Sequence, residues 1–274
     1  MLFEHEVYAI LEGMGLTVPI HTVVTDEEQI HDDLLSMFRG KKIVLKVIST
    51  EVSHKARMGG VQVVPRTAEK VSAAFNALSM NFSQQGIAVQ GILLVQWVRC
   101  SRELGNEVLL GFRESETFGP VISLSKGGSD AEHFAAHFSP PNLILAPIDE
   151  QWARGLLEST HIYQKYVGRG LSHYVDRKVE AAVRFSDLAL CFSNYFKSAS
   201  RFVITEFEVN PFVFTPEGRF VAIDGFASFT PADTDRSARR VRSDSRSLKS
   251  FFEPFGVAVV GVSSKDSTKT GNTI

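Results

Sequence analysis

The chain has 274 residues, a net charge of −2, a hydrophobic fraction of 44% and two cysteines, Cys100 and Cys191. This length suits one large domain or two smaller ones, and two cysteines are too few for a disulfide framework, which predicts a cytoplasmic protein. The near-neutral charge gives no broad basis for binding nucleic acid or an anionic membrane, and no apolar run approaches the roughly 20 residues of a membrane helix.

Helix and strand patterns both occur along the chain. The spacing of apolar residues predicts helices over residues 2–14, 26–38, 67–85, 150–159 and 177–195. Short apolar runs predict strands over residues 41–48, 92–98, 107–111, 118–122 and 143–148. Residues 1–15 have no long apolar core, so we do not expect them to be a signal peptide.

The strand over residues 41–48 carries one internal lysine, Lys46. A central strand rarely keeps a charged residue without a partner. Lys46 therefore either snorkels to water from the end of the strand or meets an anion such as a nucleotide phosphate.

A loop with the sequence HKARMGGV follows this strand. Its Gly59 and Gly60 permit close approach of the backbone, and amides in such a loop can cradle an anion. Imidazole is a competent nucleophile near neutral pH, so His54 is either a phosphoryl carrier or a surface histidine beside a loop.

The sequence EFEVNPFVFTPEGRFVAID, from Glu206 to Asp224, predicts a β-hairpin. A turn over Thr215–Gly218 would place Asn210 directly opposite Asp224, and cross-strand partners sit roughly 4.5–5.5 Å apart. Glu208 would share their face. Carboxylate and amide oxygens are ligands that Mg²⁺ accepts, with water and phosphates completing its shell. The alternative is a solvated polar face on an edge hairpin.

Together these motifs resemble the ATP-grasp domain of the nucleoside-diphosphate-forming acyl-CoA synthetases. That superfamily includes the succinyl-CoA synthetase β subunit and the ADP-forming acetyl-CoA synthetases. The matching strings are VLKV around Lys46, the HKxxxGGV loop, FGPVI at 118–122, and the acidic-x-Asn-Pro strand with an Asp a dozen residues later. The resemblance implies an α/β (α+β) ATP-grasp fold whose two lobes hold nucleotide between antiparallel sheets.

The resemblance also implies roles for individual residues. The implied residues for ATP or ADP are Lys46, Gly59, Gly60, Gln96, Val98, Glu107 and Glu132. Asn210 and Asp224 would be ligands of Mg²⁺. Glu208 would either bind the ion through a water molecule or contact these ligands without touching the ion. His54 would relay a phosphoryl group towards a carboxylic acid, giving an acyl phosphate that CoA attacks.

After Glu132 the chain departs from the family pattern. Residues 133–142 resemble an insertion, and Ile144 stands where the acetyl-CoA synthetases have an arginine. Two alternatives therefore stay open: a non-catalytic, nucleotide-sensing ATP-grasp domain of a multidomain acyltransferase, and a carboxylate–amine ligase. His133 and His137 have helical spacing, but a zinc site would need a third ligand that the sequence does not supply.

Three segments are predicted. Residues 1–229 form the ATP-grasp domain, and residues 230–247 are polar and form a linker. Residues 248–274 resemble the start of a Rossmann-like CoA-binding domain, with its first strand over 257–262. We expect an acid–thiol ligase that is incomplete in this chain, binds CoA through the downstream domain and works as an oligomer. Its CoA-ligase module would lie in the same chain or a partner chain.

Overall fold

The computed structural model of the chain describes residues 1–52, 55, 58–100, 103, 105–128, 142–196, 200–232 and 253. The chain divides into two compact units, Met1–Thr234 and Asp235–Ile274. Apart from residues 230–232 and 253, the predicted linker and CoA-binding segment lie outside the described residues. The linker and the Rossmann-like start therefore stay predictions.

The first unit combines helices with antiparallel strands. The helices are α1 (Glu4–Gly13), α2 (Asp32–Ser36), α3 (Ala68–Gln84), α4 (Glu150–Glu158), α5 (His161–Gly168) and α6 (Ser172–Cys191). The strands are β1 (His21–Val24), β2 (Lys42–Ile48), β3 (Val61–Pro65), β4 (Gly91–Gln96), β5 (Glu107–Ser115), β6 (Gly119–Lys126), β7 (Asn142–Leu145), β8 (Phe202–Phe214), β9 (Phe220–Ala222) and β10 (Gly225–Pro231). No helix in the described part is long and apolar enough to cross a membrane.

The smaller sheet has four antiparallel strands in the order β1-β4-β2-β3. The central strands β2 and β4 are almost wholly apolar because both of their faces are covered. Helix α3 covers one face. It starts at Thr67, whose side chain accepts a hydrogen bond from the first turn, and its apolar stripe of Val71, Leu78 and Phe82 packs with Leu45 of β2.

The larger sheet has six strands in the order β10-β8-β5-β6-β7, and β9 also pairs with β8. Alternation along β8 sorts its side chains between the two faces. Phe207 and Val209 are buried in the core shared with helices α4, α5 and α6, whereas Glu206 and Glu208 lie on the other face. This second face is the one that carries the acidic residues of the predicted metal hairpin.

One helix prediction was wrong, and one helix was missed. The pattern over residues 26–38 forms only a 3₁₀ turn, Glu27–Gln29, and the five-residue α2. The reason is local: the Gln29 side chain folds back onto the backbone N–H of Asp26, and the extended His31 then starts a new helix. Helix α5 was not predicted at all, although Thr160 supplies an N-cap for it.

Helix α1 lies between the two sheets. Val7 and Leu11 belong to the same core as Val95 of the smaller sheet and Val209 of the larger one. Leu2 forms a bridge to β10 just before the helix starts. The first turn of α1 is therefore held at the junction of the two sheets, where the candidate site lies.

Candidate functional site

The predicted hairpin forms with the predicted register. Phe212 pairs with Ala222, and the backbone N–H of Asn210 donates to the carbonyl oxygen of Asp224 at 3.0 Å. The turn contains Gly218 at φ +78°, a value that glycine adopts without strain. The prediction that Asn210 lies opposite Asp224 is confirmed.

The side chain of Asn210 is held by Gly128, which belongs to the Gly127-Gly128 pair after β6. The backbone N–H of Gly128 donates to Oδ1 of Asn210 at 2.8 Å, and the N–H of Gly127 donates to the carbonyl oxygen of Glu107 at 3.0 Å. The carboxylate of Glu107 packs directly against Gly128. The Gly-Gly step after β6 thus links Asn210 of the hairpin to Glu107, which the sequence assigned to the nucleotide.

Lys46 projects from β2 of the smaller sheet into this region. It is only 6% exposed, so it does not snorkel to water. Its Nζ lies 2.5 Å from Oε1 of Glu4, 2.9 Å from the carbonyl oxygen of Ile223 and 3.7 Å from Oδ1 of Asp224. The lysine singled out on the strand and the aspartate singled out on the hairpin are therefore neighbours.

Glu4 is a site residue that sequence reasoning did not single out. Its side chain is 0% exposed and contacts Lys46, Lys55 at 3.4 Å and the hydroxyl of Tyr8 at 2.6 Å. An acidic residue in the first turn of α1 is favoured by the helix dipole. The available signal was the pair of Glu4 and Tyr8 at i, i+4, a spacing that places two polar side chains on one helix face.

The carboxylates and the amine shift one another's pKa values. Burial alone would lower the pKa of Lys46, but attraction to Asp224 and Glu4 outweighs it and raises the pKa. Burial opposes ionisation of Glu4, yet Lys46 and Lys55 together lower its pKa. Both groups of the Glu4–Lys46 pair therefore stay charged at neutral pH.

The pKa of Asp224 is raised, whereas that of Glu4 is lowered. Surrounding protein atoms and then the negative charge of Glu4 raise its pKa to about 7, although 54% of its side-chain surface is open. Burial and then Glu206 likewise raise the pKa of Glu208. On this face of the hairpin Arg113 pairs with Glu206 and Lys46 lies near Asp224, while the pKa values of Glu208 and Asp224 are raised. A bound cation would favour the ionised forms of these two carboxyl groups.

The Gly-Gly loop begins beside Lys46. The carbonyl oxygen of Gly60 accepts a hydrogen bond from the backbone N–H of Val47, and the N–H of Gly60 donates to the carbonyl oxygen of Lys55 at 2.7 Å. A Cβ on Gly60 would lie 3.0 Å from the Phe82 ring and 3.1 Å from the carbonyl oxygen of Lys55, so a larger residue would be crowded there. Gly59 has φ +73°. His54 lies outside the described residues, and its role stays a prediction.

The other predicted nucleotide residues lie where the two sheets connect. Gln96 ends β4 of the smaller sheet, Val98 follows it half-buried, and Glu107 begins β5 of the larger sheet. The Gln96 side chain accepts a hydrogen bond from the backbone of Arg39 at 3.2 Å. Glu132 lies outside the described residues.

The hairpin residues suit a metal ion that arrives with a substrate. Within the described ranges, no group of three or more His, Cys, Asp or Glu side chains is placed to hold a metal by itself. Asn210, Asp224 and Glu208 offer oxygen donors, and Asn210 partly offsets the rise in the pKa of Glu208 that burial causes. Mg²⁺ is usually bound through one or two carboxylates and the phosphates of a nucleotide, so this donor set fits it.

A family model described as an ATP-grasp domain matches residues 1–226. The chain belongs to the ATP-grasp family. The resemblance stated from VLKV, HKxxxGGV and the hairpin is confirmed, and so is the predicted α/β ATP-grasp fold.

Relatives of this ATP-grasp chain include CoA ligases. It is 25% identical to the β subunit of acetate–CoA ligase [ADP-forming] I of Pyrococcus furiosus, over 81% of this chain and 89% of the relative. It is 25% identical to the β subunit of succinate–CoA ligase [ADP-forming] of Ehrlichia canis, over 92% of this chain and 61% of the relative. It is also 26% identical to acetate–CoA ligase [ADP-forming] II of Archaeoglobus fulgidus, of which it spans 34%.

Solved structures share the ATP-grasp fold of the chain. One is the dinucleotide-forming acetyl-coenzyme A synthetase 1 of Ca. Korarchaeum cryptofilum in complex with coenzyme A, Ca-AMPCP and HgCl⁺, with a TM-score of 0.67 and 23% identity over 85% of this chain and 93% of that one. Another structure of that synthetase holds coenzyme A and Mg-AMPPCP, with a phosphohistidine segment pointing towards the nucleotide binding site. Its TM-score is 0.62, with 22% identity over 84% of this chain and 92% of that one.

Proposed function

We propose that this chain is the nucleotide-binding, phosphoryl-transferring part of an ADP-forming acyl-CoA synthetase. The reaction converts a carboxylate, CoA and ATP to acyl-CoA, ADP and phosphate. One observation carries the proposal: Lys46 of one sheet and Asp224 of the other lie 3.7 Å apart in an ATP-grasp fold. The CoA ligases among its relatives supply the class of reaction.

Lys46 and the loop glycines would hold the phosphates. Phosphoryl transfer depends on positioning and charge neutralisation more than on covalent work by the protein. The ammonium of Lys46 supplies positive charge from a buried strand, and the carbonyl oxygen of Gly60 accepts a hydrogen bond from the next residue of that strand, Val47. Gln96, Val98 and Glu107 would surround the base and ribose at the connection between the sheets.

Asn210 and Asp224 would hold Mg²⁺, with Glu208 next to Asn210. The bound ion would neutralise charge on the phosphates. Gly128 fixes the Asn210 amide, and the hairpin register holds the two side chains on one face.

His54 would carry the phosphoryl group. Its imidazole nitrogen would attack the γ-phosphorus of ATP, the bond to the bridging oxygen would break, and ADP would leave. The phosphoryl group would then pass to a carboxylate oxygen, and the CoA thiol would displace phosphate from the resulting acyl phosphate. The support is the HKxxxGGV string of this chain and the phosphohistidine segment named for the Korarchaeum synthetase.

CoA and the acid would bind a CoA-ligase module in the same chain or a partner chain. The chain spans 61% and 29% of two of the CoA ligases it matches, and several relatives are β subunits. The complete enzyme would be an oligomer in the cytoplasm.

A nucleotide-sensing domain without catalysis is the second candidate. Ile144, in place of the family's arginine, is half-buried on β7 and packs against the core of the larger sheet. The chain therefore lacks a cation at that position. Incubation of the full-length protein with ATP separates the two functions, because only the synthetase forms phosphohistidine.

Calorimetry with ADP, with and without Mg²⁺, tests the proposed site. We expect Mg²⁺ to strengthen binding, and we expect Asn210→Ala combined with Asp224→Ala to remove that increment. Asp187→Ala, on the exposed face of α6, is the matched control and should bind as the wild type does. Equal ADP affinity with and without Mg²⁺ would contradict the role of the hairpin.

A further inference from the structure

We propose that Glu4 is a positioning residue that holds Lys46 and Lys55 at the phosphate site. This inference rests on the proposed nucleotide function and names a residue that the motifs of that function do not include. Glu4 would not touch the nucleotide. It would act through the two lysines, one on β2 and one in the loop that carries His54.

The side chain of Glu4 is held in one position because it is buried and both of its oxygens have partners. The side chain is 0% exposed, and Oε1 accepts hydrogen bonds from Lys46 at 2.5 Å and from Tyr8 at 2.6 Å. Oε2 faces Lys55 at 3.4 Å. A buried carboxylate with partners on both oxygens has little freedom to turn away, because leaving a buried charge unpaired is costly.

Lys46 has two acidic neighbours, Glu4 and Asp224, which differ in their exposure to solvent. Asp224 has 54% of its side-chain surface open, and it is the residue placed to meet a cation. A carboxylate that binds a cation can no longer balance the ammonium of Lys46. Glu4, closed off from solvent, would then be the counter-charge that keeps Lys46 in place while the metal site is filled.

The same contacts join three parts of the site. Glu4 belongs to α1, Lys46 to β2 and Lys55 to the Gly-Gly loop. The carbonyl oxygen of Ile223, next to the metal residue Asp224, lies 2.6 Å from the Tyr8 hydroxyl and 2.9 Å from Lys46. Glu4 is therefore at the centre of a network that reaches the predicted phosphate and metal elements.

A double-mutant cycle distinguishes positioning from a purely structural salt bridge. Glu4→Gln keeps the shape of the side chain and removes its charge. We expect it to weaken Mg-ADP binding about tenfold, the scale of one hydrogen bond to a charged group. In a background that carries both Lys46→Met and Lys55→Met, the same change should cause no further loss of Mg-ADP affinity, because both residues through which it acts are gone. Glu6→Gln, in the same helical turn but exposed, is the matched control.

The outcomes separate this inference from the proposed function. A wild-type chain that binds no ADP with Mg²⁺ would overturn both. Wild-type affinity in Glu4→Gln, or affinity losses that add to those of the Lys46→Met, Lys55→Met double variant, would overturn the role of Glu4 alone. If Glu4→Gln does not fold, Tyr8→Phe removes the hydroxyl beside Oε1 and keeps the ring. A drop in Mg-ADP affinity that disappears when both lysines are replaced by methionine supports the proposal, whereas unchanged affinity, or a loss that adds to that of the lysine variants, overturns it.

Discussion

The backbone N–H of Gly128 donates to the side-chain oxygen of Asn210 at 2.8 Å, so a glycine after β6 orients the amide at the centre of the hairpin. Gly128 has φ +84°, and the carboxylate of Glu107 fills the space that a Cβ would need. Two separate constraints, one on the backbone and one on packing, therefore require glycine at this position.

Gly128→Ala should impair both folding and the proposed metal site. An L-residue in this backbone region costs about 1–2 kcal/mol, and Glu107 must move as well. We expect a lower urea midpoint and a smaller effect of Mg²⁺ on ADP binding. Gly155→Ala is the control, because Gly155 lies in α4 with nothing near its Cβ position and should be neutral or stabilising. Unchanged Mg²⁺ dependence in Gly128→Ala would show that Asn210 needs no help from this glycine.

Lys46→Met should destabilise the fold as well as weaken nucleotide binding. The substitution keeps the aliphatic stem but leaves the buried carboxylate of Glu4 without its closest partner. Breaking a buried pair in this way typically costs about 3–5 kcal/mol, so urea unfolding at neutral pH should show a clear loss. Adding Glu4→Gln should restore much of it. A double variant less stable than Lys46→Met would contradict this account of the pair.

Lys178 on α6 predicts a pH-dependent stability. It is 2% exposed, and its amine contacts the hydroxyl of Tyr166 at 2.7 Å and the carbonyl oxygen of Gly105 at 3.3 Å. In the described part of the chain no carboxylate pairs with it. Burial, and to a lesser extent Lys165, lowers the pKa of Lys178 to about 7. The folded protein therefore holds this amine largely uncharged above that pH.

The direction of the pH effect follows from proton counting. Between pH 7 and the ordinary lysine pKa of 10.5, the unfolded chain binds one proton more than the folded chain at this residue. The contribution of Lys178 to the free energy of unfolding should rise with pH across this window, by about 1.4 kcal/mol per pH unit. Urea unfolding at pH 7 and pH 9 should show this rise in the wild type but not in Lys178→Met. The exposed Lys70→Met should retain it, and parallel curves for wild type and Lys178→Met would exclude the lowered pKa.

His54→Asn tests the phosphoryl carrier in the full-length protein. Asparagine roughly keeps the size and one hydrogen bond but has no nucleophilic nitrogen, so acyl-CoA formation should stop while ATP binding stays almost unchanged. Mass spectrometry under alkaline conditions should find phosphate on His54 of the wild type after incubation with ATP. His31→Asn is the control, since asparagine also caps the helix that His31 starts. Near wild-type turnover in His54→Asn would mean that phosphate passes directly to another module.

The hairpin could be predicted in detail because its information is local. Thr215–Gly218 contains the turn chemistry, and alternation along β8 decides which side chains share a face. Counting residues away from this turn along both strands then places Asn210 opposite Asp224. The glycines after β2 and β6 were also visible in the sequence, because few residues other than glycine suit such backbones.

Glu4 could not be predicted in the same way. Its partner Lys46 is 42 residues away in the sequence, and their contact exists only after α1 packs between the two sheets. The wrong helix prediction over residues 26–38 has a local cause instead. There the apolar spacing was helical, but the side chain of Gln29 satisfied backbone groups locally and ended the helix pattern early.

The bridge from Leu2 to Ala227, and the one from Thr17 to Val221, join opposite ends of the Met1–Thr234 unit. A ribosome releases strand β2, which carries Lys46, and the Gly-Gly loop long before it releases the hairpin. Until the hairpin emerges, α1 lacks the strand against which it packs, and Lys46 lacks Asp224. Contacts of such long range form slowly and late. The nucleotide site should therefore be among the last regions of the nascent chain to assemble, and a chain stalled before residue 224 would not yet have it.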